Sequence, residues 1–392
     1  MKSSVAIVGI GEVPCGKYPD RSELDAAVTV CRDAILDAGL SPRDIDIVMP
    51  VGVVLGSRQF NADLIFSRLC EELGMLGSAK MNVQVMAGGA SGSATLKVAS
   101  ALVKSGAART VLVVHSDAFG STTMQQGLDL FATLGISEEW EAPYGHNANT
   151  AVSLIAKRYM YETGTTDEEL ASVCVALRQW GSLNPNAMFR APIAVDEVLS
   201  SKAVSTPLRP KMMSLWADGA SAYIVARAED ARTITQTPVY VRAMTSLVTH
   251  YAISQERNLA FLAFPEMAKA AYAQAGLGPK DIQVAEAYDA YAIMPLLAMD
   301  ALDLCDGERA GAFVAAGHTL PGRRMPMTTN GGALSMGHTG AGVGVALVVE
   351  TARQLMGKAG ERQVRGAVNA VETGSGGTWM DSHVSILSRE PR

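Results

Sequence analysis

The chain has 392 residues and a formal net charge of −6, which arises from 33 Lys and Arg against 39 Asp and Glu. Apolar residues make up 48% and charged residues only 18%, so the composition excludes a disordered chain or a coiled coil and predicts a large buried core. The acidic balance, without runs of Lys or Arg, argues against a nucleic-acid-binding protein, which would carry a basic surface.

Residues 4–115 alternate between apolar runs and amphipathic stretches. Strands that alternate with helices of this length indicate βαβ units around a mostly parallel sheet. The chain is therefore predicted to be an α/β protein. The predicted strands cover 4–10, 44–54, 80–86 and 109–115, and the predicted helices cover 22–38, 61–73 and 91–105.

An internal repeat indicates two similar halves. Residues 38–47 reappear as residues 275–284, with six of the ten positions identical. Each copy follows an amphipathic helix, carries a Gly suited to a helix C-terminus and leads through a Pro turn into an apolar strand. We therefore predict two α/β halves, residues 1–236 and 237–392.

The first half is expected to carry an insertion over about 117–215. This stretch is polar and rich in loop residues, and it shows one clear helical pattern over 150–161. We therefore predict a loop-rich insertion with a single helix.

Five scattered cysteines form no C-x-x-C pair, which argues against both a disulfide framework and a zinc site. The apolar run before Gly11 is about six residues long, which indicates a buried strand rather than a signal peptide. No run reaches the ~18 uncharged apolar residues of a membrane span. These features predict a soluble, cytoplasmic protein without a bound metal and without a membrane partner.

Several turns could carry chemistry. Gly89 lies at a predicted helix start, where unpaired N–H groups could bind an oxyanion; the alternative is a tight turn that simply needs glycine. His338 lies between glycines at a helix start in the second half, Tyr288 lies where a strand passes into a helix, and Gly377 ends a glycine loop over 372–377. Because such turns converge on one crevice in open α/β sheets, we expect Gly89, Tyr288 and His338 to face one cavity.

The motif N-G-G-A-L-S-M-G-H-T-G-A-G at 330–342, together with the repeat and the terminal glycine loop, resembles the thiolase superfamily. The likeness is strongest to the sterol carrier protein-type thiolases and extends over essentially the whole chain, including L-N-P-N-A at 183–187. It implies a thiolase fold, in which two βαβαβαββ halves form a five-layered αβαβα core.

The resemblance also implies roles for particular residues. Thiolases carry a nucleophilic cysteine at the position of Gly89 and an acid/base cysteine in the terminal loop, but this chain has no cysteine within fifteen residues of Gly89 and none over 372–377. Acyl transfer through a cysteine thioester is therefore not expected. In thiolases, the histidine that matches His338 and an Asn or His that matches Tyr288 hold the thioester oxygen as it becomes an enolate. His338 and Tyr288 are thus the predicted catalytic residues, with the backbone of Gly89 and Gly377 as the oxyanion site.

A site with an enolate-binding pair and no nucleophile suits the retro-aldol cleavage of a β-hydroxyacyl-CoA. The chain is similar to the steroid side-chain aldolases of the superfamily, which have glycines at the cysteine position, a Tyr-Asp-x-aromatic motif and a small OB-fold, zinc-ribbon partner. Those aldolases tend to carry tyrosine where this chain has His338. No covalently bound cofactor is expected, and coenzyme A would enter as part of the substrate.

Two alternatives are open at this point. The chain could be a thiolase-like acyltransferase or condensing subunit that acts with a partner, for which Ser91 is a candidate nucleophile without an identifiable base. It could also be a non-catalytic acyl-CoA or lipid-binding subunit, although such a protein has no chemical need for His338 and Tyr288.

Two further expectations concern binding surfaces. CoA should lie along the insertion, where Arg178, Arg190 and Lys202 are either phosphate contacts or ordinary solvated charges. A homodimer is expected, because thiolase-like folds pair the edge strands beside the first-half long helix. The apolar strand over 80–86 would otherwise leave an exposed sheet edge.

Overall fold

The computed structural model describes residues 5–52, 65–133, 135–262 and 264–391. The strands are β1 (Val5–Glu12), β2 (Ile47–Pro50), β3 (Met81–Asn82), β4 (Thr110–Ala118), β5 (Asp218–Arg227), β6 (Val239–Val248), β7 (Val284–Glu286), β8 (Asn369–Gly376) and β9 (Asp381–Ser388). The helices are α1 (Glu23–Asp37), α2 (Ile65–Glu72), α3 (Ser91–Lys104), α4 (Met124–Thr133), α5 (Ala148–Thr163), α6 (Asp167–Ser182), α7 (Val195–Leu199), α8 (Ala228–Ile234), α9 (Phe264–Ala275), α10 (Ile293–Ala301), α11 (Ala310–Ala315), α12 (Gly332–Ser335) and α13 (Val343–Met356). Parts of the predicted strand over 44–54 and helix over 61–73 lie outside the described residues.

The nine strands of the described chain form one continuous sheet in the order β3-β2-β4-β5-β1-β6-β9-β8-β7. β2 pairs in parallel with β3 and β4, and β7 pairs in parallel with β8, but the five other pairings are antiparallel. The expectation of a mostly parallel sheet is therefore wrong. It fails because β8 and β9 form a hairpin and β5 runs antiparallel to both of its neighbours. The α/β class that the sequence predicts is confirmed, but its sheet is mixed.

The two copies of the internal repeat adopt the same local structure. Gly39 and Gly276 follow α1 and α9 with φ of +68° and +66°. Turns over Pro42–Asp44 and Pro279–Asp281 then lead toward β2 and β7. The boundary at residues 236 and 237 stays a prediction, and it falls between α8 and β6.

The sheet has two parts, of which the first contains β1 to β5 and the second contains β6 to β9. Helices lie in three layers, one on the outer face of each part and one between the two parts. α1 covers β1, β4 and β5, whereas α9 covers β6 and β9. α3 and α13 lie between the two parts, where Leu96 and Val345 join one buried cluster with Val113 of β4 and Ala370 of β8. This arrangement is the five-layered thiolase fold. The two central helices touch through their backbones, since a Cβ on Gly92 would lie 2.1 Å from the carbonyl group of Gly344.

The insertion is more helical than the sequence analysis predicts. The predicted helix over 150–161 is α5, but α4, α6 and α7 also lie within 117–215. The signal for α6 is a capping box, in which Thr166 Oγ1 accepts the N–H of Glu169 and the Glu169 carboxylate accepts the N–H of Thr166. Buried apolar residues at helical spacing follow it, from Leu170 to Trp180.

The edge strand is shorter than predicted. The expected strand over 80–86 is reduced to β3, and both Met81 and Met86 are exposed. None of the described helices is long and apolar enough to cross a membrane.

Candidate active site

Tyr288 and His338 meet at the turns that the sequence singles out. Tyr288 follows β7 and is buried, and its N–H donates to Thr373 Oγ1 of β8 at 3.1 Å. The Tyr288 hydroxyl lies 3.1 Å from His338 Nε2, although the two residues are 50 positions apart in the sequence. The structure thus brings the two predicted catalytic side chains into hydrogen-bond contact.

A short extended segment, residues 213–217, holds the backbone of His338; we call it the strap. The His338 N–H donates to Leu215 O at 2.8 Å, and the His338 carbonyl accepts from the N–H of Ala217 at 2.9 Å. The strap also bonds to the turn that carries the tyrosine, since the N–H of Ser214 donates to Ala290 O at 2.9 Å. One segment therefore positions both turns.

Gly89 lies against the tyrosine hydroxyl, just before α3. A Cβ at residue 89 would lie 2.3 Å from Tyr288 Oη and 2.5 Å from the carbonyl oxygen of Ser375, so only glycine fits. The Tyr288 hydroxyl therefore fills the space where the side chain of residue 89 would begin.

Ser91 is engaged within the same turn. Its hydroxyl donates to Gly88 O at 2.6 Å and accepts the N–H of Ala87 at 2.9 Å. This geometry is that of a hydroxyl that stabilises a turn rather than that of a free nucleophile.

Gly377 lies beside the Gly88–Gly89 turn. It follows β8 with φ +56°, and a Cβ on Gly88 would lie 3.4 Å from the Gly377 nitrogen. Most of the predicted glycine loop over 372–377 is strand, because β8 extends to Gly376. All four residues that the sequence assigns to the site therefore lie in one cluster.

Burial sets the protonation of the central pair. Desolvation raises the pKa of Tyr288, with smaller contributions from Asp289 and Tyr291, so the phenol keeps its proton. His338 is half-buried, and desolvation lowers its pKa to about 4. At neutral pH the site therefore presents a phenol and a neutral imidazole, which can donate and accept one proton respectively.

Asp289 joins the two turns, a role that the sequence analysis does not assign. It is buried, and its two carboxylate oxygens accept the N–H groups of Ala333 and Leu334 at 2.8 and 3.0 Å. Burial raises its pKa to about 7. The available signal is its position next to Tyr288 in the Tyr-Asp-x-aromatic motif.

His115 of β4 is a second residue that the sequence analysis misses. Its Nε2 lies 2.7 Å from the carbonyl oxygen of Thr339 and must donate to it. Gly342 allows this approach, since a Cβ there would lie 1.7 Å from the His115 ring. Burial lowers the pKa of His115 to about 4. The ring thus fixes the residue that follows His338, and no local sequence motif signals this contact.

A buried carboxyl supports the first turn of α3. Both oxygens of Glu372 accept from Ser93 Oγ, at 2.8 and 2.9 Å. Burial raises the pKa of Glu372 to about 7. The contact ties β8 to the helix that begins beside Gly89.

The candidate phosphate contacts differ in their surroundings. Arg178 Nε donates to Ser335 Oγ at 3.1 Å, three residues before His338. Arg190 donates to Ser182 O at 3.3 Å, and Lys202 is exposed. The structure therefore links only the first of the three directly to a segment of the site.

All five cysteines, Cys15, Cys31, Cys70, Cys174 and Cys305, are buried. Burial raises the pKa of Cys15, which packs near Gly337, and raises that of Cys174 to about 12. Thiols in such surroundings are poor nucleophiles. Among the described residues, no group of three or more His, Cys, Asp or Glu is arranged to hold a metal ion.

Comparison with known proteins identifies the family. Residues 245–389 match the family described as thiolase C-terminal domain-like. An acetyl-CoA acetyltransferase of Methanothermobacter thermautotrophicus is 32% identical over 388 residues, which cover 98% of this chain and 99% of the relative. The chain belongs to the thiolase superfamily.

Two further similarities indicate to which branch of the thiolase superfamily this protein belongs. The 17-hydroxy-3-oxo-4-pregnene-20-carboxyl-CoA lyase of Mycobacterium tuberculosis is 30% identical over 378 residues, with 91% of this chain and 92% of the relative covered. The solved Ltp2–ChsH2(DUF35) aldolase matches 99% of this chain and 98% of its own, with a TM-score of 0.85 and 26% identity. The protein is therefore a thiolase-like acyl-CoA enzyme of the sterol carrier protein-like branch.

Proposed function

We propose that this enzyme is a carbon–carbon lyase, which cleaves a β-hydroxyacyl-CoA by a retro-aldol reaction without a cysteine nucleophile. One observation carries the proposal: the Tyr288 hydroxyl fills the space beside Gly89 in which a nucleophilic side chain would start. A reaction that needs one proton acceptor and a donor to a thioester oxygen suits the Tyr288–His338 pair.

His338 is the proposed proton acceptor. Neutral Nε2 takes the proton of the β-hydroxyl group, the Cα–Cβ bond breaks, and its electron pair forms the thioester enolate. Cβ becomes the carbonyl carbon of a ketone or an aldehyde. The imidazolium then returns the proton to Cα, so that the products are a shortened acyl-CoA and a carbonyl compound.

Tyr288 is the proposed donor to the enolate oxygen, since its raised pKa keeps the O–H group intact. In the free enzyme this group is 3.1 Å from His338 Nε2, and the substrate would separate the two partners so that each engages one substrate oxygen. The backbone N–H groups of Gly89 and Gly377 are proposed as further donors. Removal of one donor from such a site typically costs ~10²–10³ in rate.

We also propose a homodimer that acts with a small OB-fold, zinc-ribbon partner. The solved aldolase of similar fold supports the partner, because its name pairs it with a DUF35 protein. The exposed Met81 of the edge strand β3 and the exposed Met86 that follows it support the dimer.

The test is product analysis with β-hydroxyacyl-CoA thioesters of different acyl groups, with and without a co-encoded OB-fold protein. We expect a carbonyl compound and a shortened acyl-CoA in equal amounts. A covalent acyl-enzyme, or acyl transfer without release of a carbonyl compound, would contradict the proposal.

The acyltransferase alternative is favoured by one observation, the 32% identity to an acetyl-CoA acetyltransferase over 98% of the chain. It predicts exchange of labelled CoA into acyl-CoA without a carbonyl product. A non-catalytic acyl-CoA-binding subunit would bind the thioester and release neither product.

A further inference from the structure

A buried carboxyl group lies close in the sequence to the turn that carries Tyr288. Glu286 is the last residue of β7, two positions before Tyr288, and it is completely buried. Its Oε2 accepts the N–H of Thr329 at 3.0 Å, and its Oε1 lies 2.6 Å from the Thr329 hydroxyl oxygen. Thr329 begins the segment that leads to His338. Glu286 therefore connects the strand end that carries the tyrosine to the segment that carries the histidine.

The Thr329 hydroxyl group lies between two carboxyl groups and one amide group. Its oxygen lies 2.6 Å from Glu286 Oε1 and 2.9 Å from Glu350 Oε1, and Gln354 Nε2 donates to it at 2.9 Å. A hydroxyl group has one hydrogen and cannot donate to two carboxylates at once. Both contacts are hydrogen bonds only if one of the two carboxyl groups carries a proton.

The surrounding charges identify Glu350 as the ionised group. Its two oxygens accept from the Arg362 guanidinium at 2.9 Å each, and Arg353 Nε lies 3.3 Å from Oε2. Arg353 also contacts Glu12 at 3.3 Å. No arginine of the described residues hydrogen-bonds to Glu286, so the proton belongs on Glu286.

We propose that Glu286 is a positioning residue in its protonated form. Its O–H donates to Thr329 Oγ1, the Thr329 O–H donates to Glu350, and this chain holds the Tyr288 and His338 segments together. Loss of the proton would leave two carboxylates beside one hydroxyl hydrogen, and the link between the segments would weaken. Burial and the neighbouring Glu350 raise the pKa of Glu286, which agrees with a neutral carboxyl group.

Glu286→Gln is the first test, and its activity readout rests on the proposed function. The amide reproduces the protonated carboxyl, because its oxygen accepts the Thr329 N–H, its N–H donates to the Thr329 hydroxyl, and it cannot ionise. We expect kcat at neutral pH within about threefold of the unmodified enzyme, and loss of the alkaline decline in kcat that Glu286 causes. Glu286→Ala should lower kcat by at least ~10-fold with little change in KM.

Two outcomes would overturn the proposal. One is a Glu286→Gln enzyme that keeps the alkaline decline of the unmodified enzyme. The other is a Glu286→Gln enzyme that is as impaired as Glu286→Ala. Because Glu286→Gln preserves the hydrogen bonds, the test holds even if the alanine variant does not fold.

Infrared spectroscopy supplies a readout that needs no turnover, so it separates failure of this proposal from failure of the proposed function. The difference spectrum between the unmodified protein and Glu286→Gln at neutral pH should contain the C=O band of a protonated carboxylic acid, which is replaced by carboxylate bands at alkaline pH. Substitution of the exposed Glu361 by Gln is the matched control and should give carboxylate bands at neutral pH. A carboxylate signal from Glu286 at neutral pH would overturn the proposal.

Discussion

The Tyr288 hydroxyl lies 2.3 Å from the place that a Cβ on Gly89 would occupy, so a tyrosine at 288 and a side chain at 89 exclude each other on this backbone. The two positions at which the resemblance implies a departure from thiolases are therefore coupled by one steric arrangement. A cysteine introduced at residue 89 alone is not expected to form a thiolase site on this backbone.

Gly89→Cys is predicted to abolish lyase turnover without introducing acyl transfer. The new side chain must displace either the tyrosine or the Ser375 carbonyl, and overpacking of this kind costs ~1–3 kcal/mol in stability. Thermal unfolding and product analysis of the purified variant check this. Gly278→Ala is the control, since residue 278 has an extended backbone and a Cβ there would meet only Asp281 Oδ2 at 3.9 Å. A Gly89→Cys protein that forms a stable acyl-enzyme would contradict the steric argument.

Tyr288→Phe and His338→Ala should each lower turnover by at least ~10²-fold while the affinity for acyl-CoA hardly changes. The reason is that the lost interactions form with atoms that change in the transition state. Steady-state kinetics and acyl-CoA binding by calorimetry measure the two quantities. Folded variants with near-normal turnover would remove the proposed mechanism and leave the fold assignment unaffected.

Thiol alkylation of the native enzyme should leave its activity unchanged, because the five cysteines are buried. The experiment compares activity before and after treatment with iodoacetamide, and mass spectrometry counts the modified thiols. Denatured protein, in which all five thiols should react, is the control. Complete inactivation that substrate prevents would mean that a thiol takes part in the reaction.

As pH decreases, we expect the free energy of unfolding to fall at a higher pH than the one at which His338 becomes protonated. Burial lowers the pKa values of His338 and His115 to about 4, whereas an unfolded histidine titrates near ~6.5. The unfolded chain therefore binds more protons between these values, and the free energy of unfolding falls as pH decreases from ~6.5 toward 4. His338 itself should remain a neutral acceptor down to about pH 4. An acid limb of kcat/KM with an apparent pKa near ~6.5 would contradict this assignment.

Glu372→Gln should make stability less dependent on pH. Burial raises the pKa of Glu372 to about 7, so the folded state binds this proton more tightly than the unfolded chain does. The stability of the unmodified protein therefore loses roughly 3 kcal/mol from this group as pH rises from ~4 through 7, since each unit of pKa shift corresponds to ~1.4 kcal/mol. Denaturant unfolding at several pH values measures the difference. An equal pH slope in both proteins would show that Glu372 titrates normally.

The predicted site residues are those that lie in local sequence motifs, and their catalytic roles stay predictions. Each of them lies in a recognisable turn, namely Gly89, Tyr288, His338 and Gly377. The resemblance to the superfamily predicts that these turns lie close together. Likewise, the repeat around Gly39 and Gly276 predicts two similar helix–turn–strand units, which the structure contains.

Residues whose role depends on a long-range contact are not identifiable in the same way. His115 contacts Thr339 across 224 positions and Glu372 contacts Ser93 across 279, and neither pair shares a local pattern. The capping box before α6 is a local signal for that helix, but the polar composition of the insertion obscures it. The antiparallel direction of β5 has no local signal either, because β5 follows a long insertion rather than a single crossover helix.

The backbone contact between Gly92 and Gly344 limits how the enzyme can adapt to substrates of different size. At this point no side-chain layer separates α3 from α13, so the two helices cannot move closer together, and α3 begins two residues after Gly89 whereas α13 begins five residues after His338. The backbone contact therefore restricts how far the segments that carry Gly89 and His338 can move relative to each other. Changes that admit a larger acyl group are therefore expected outside this helix pair, and we expect variants with altered chain-length preference to accumulate in the insertion.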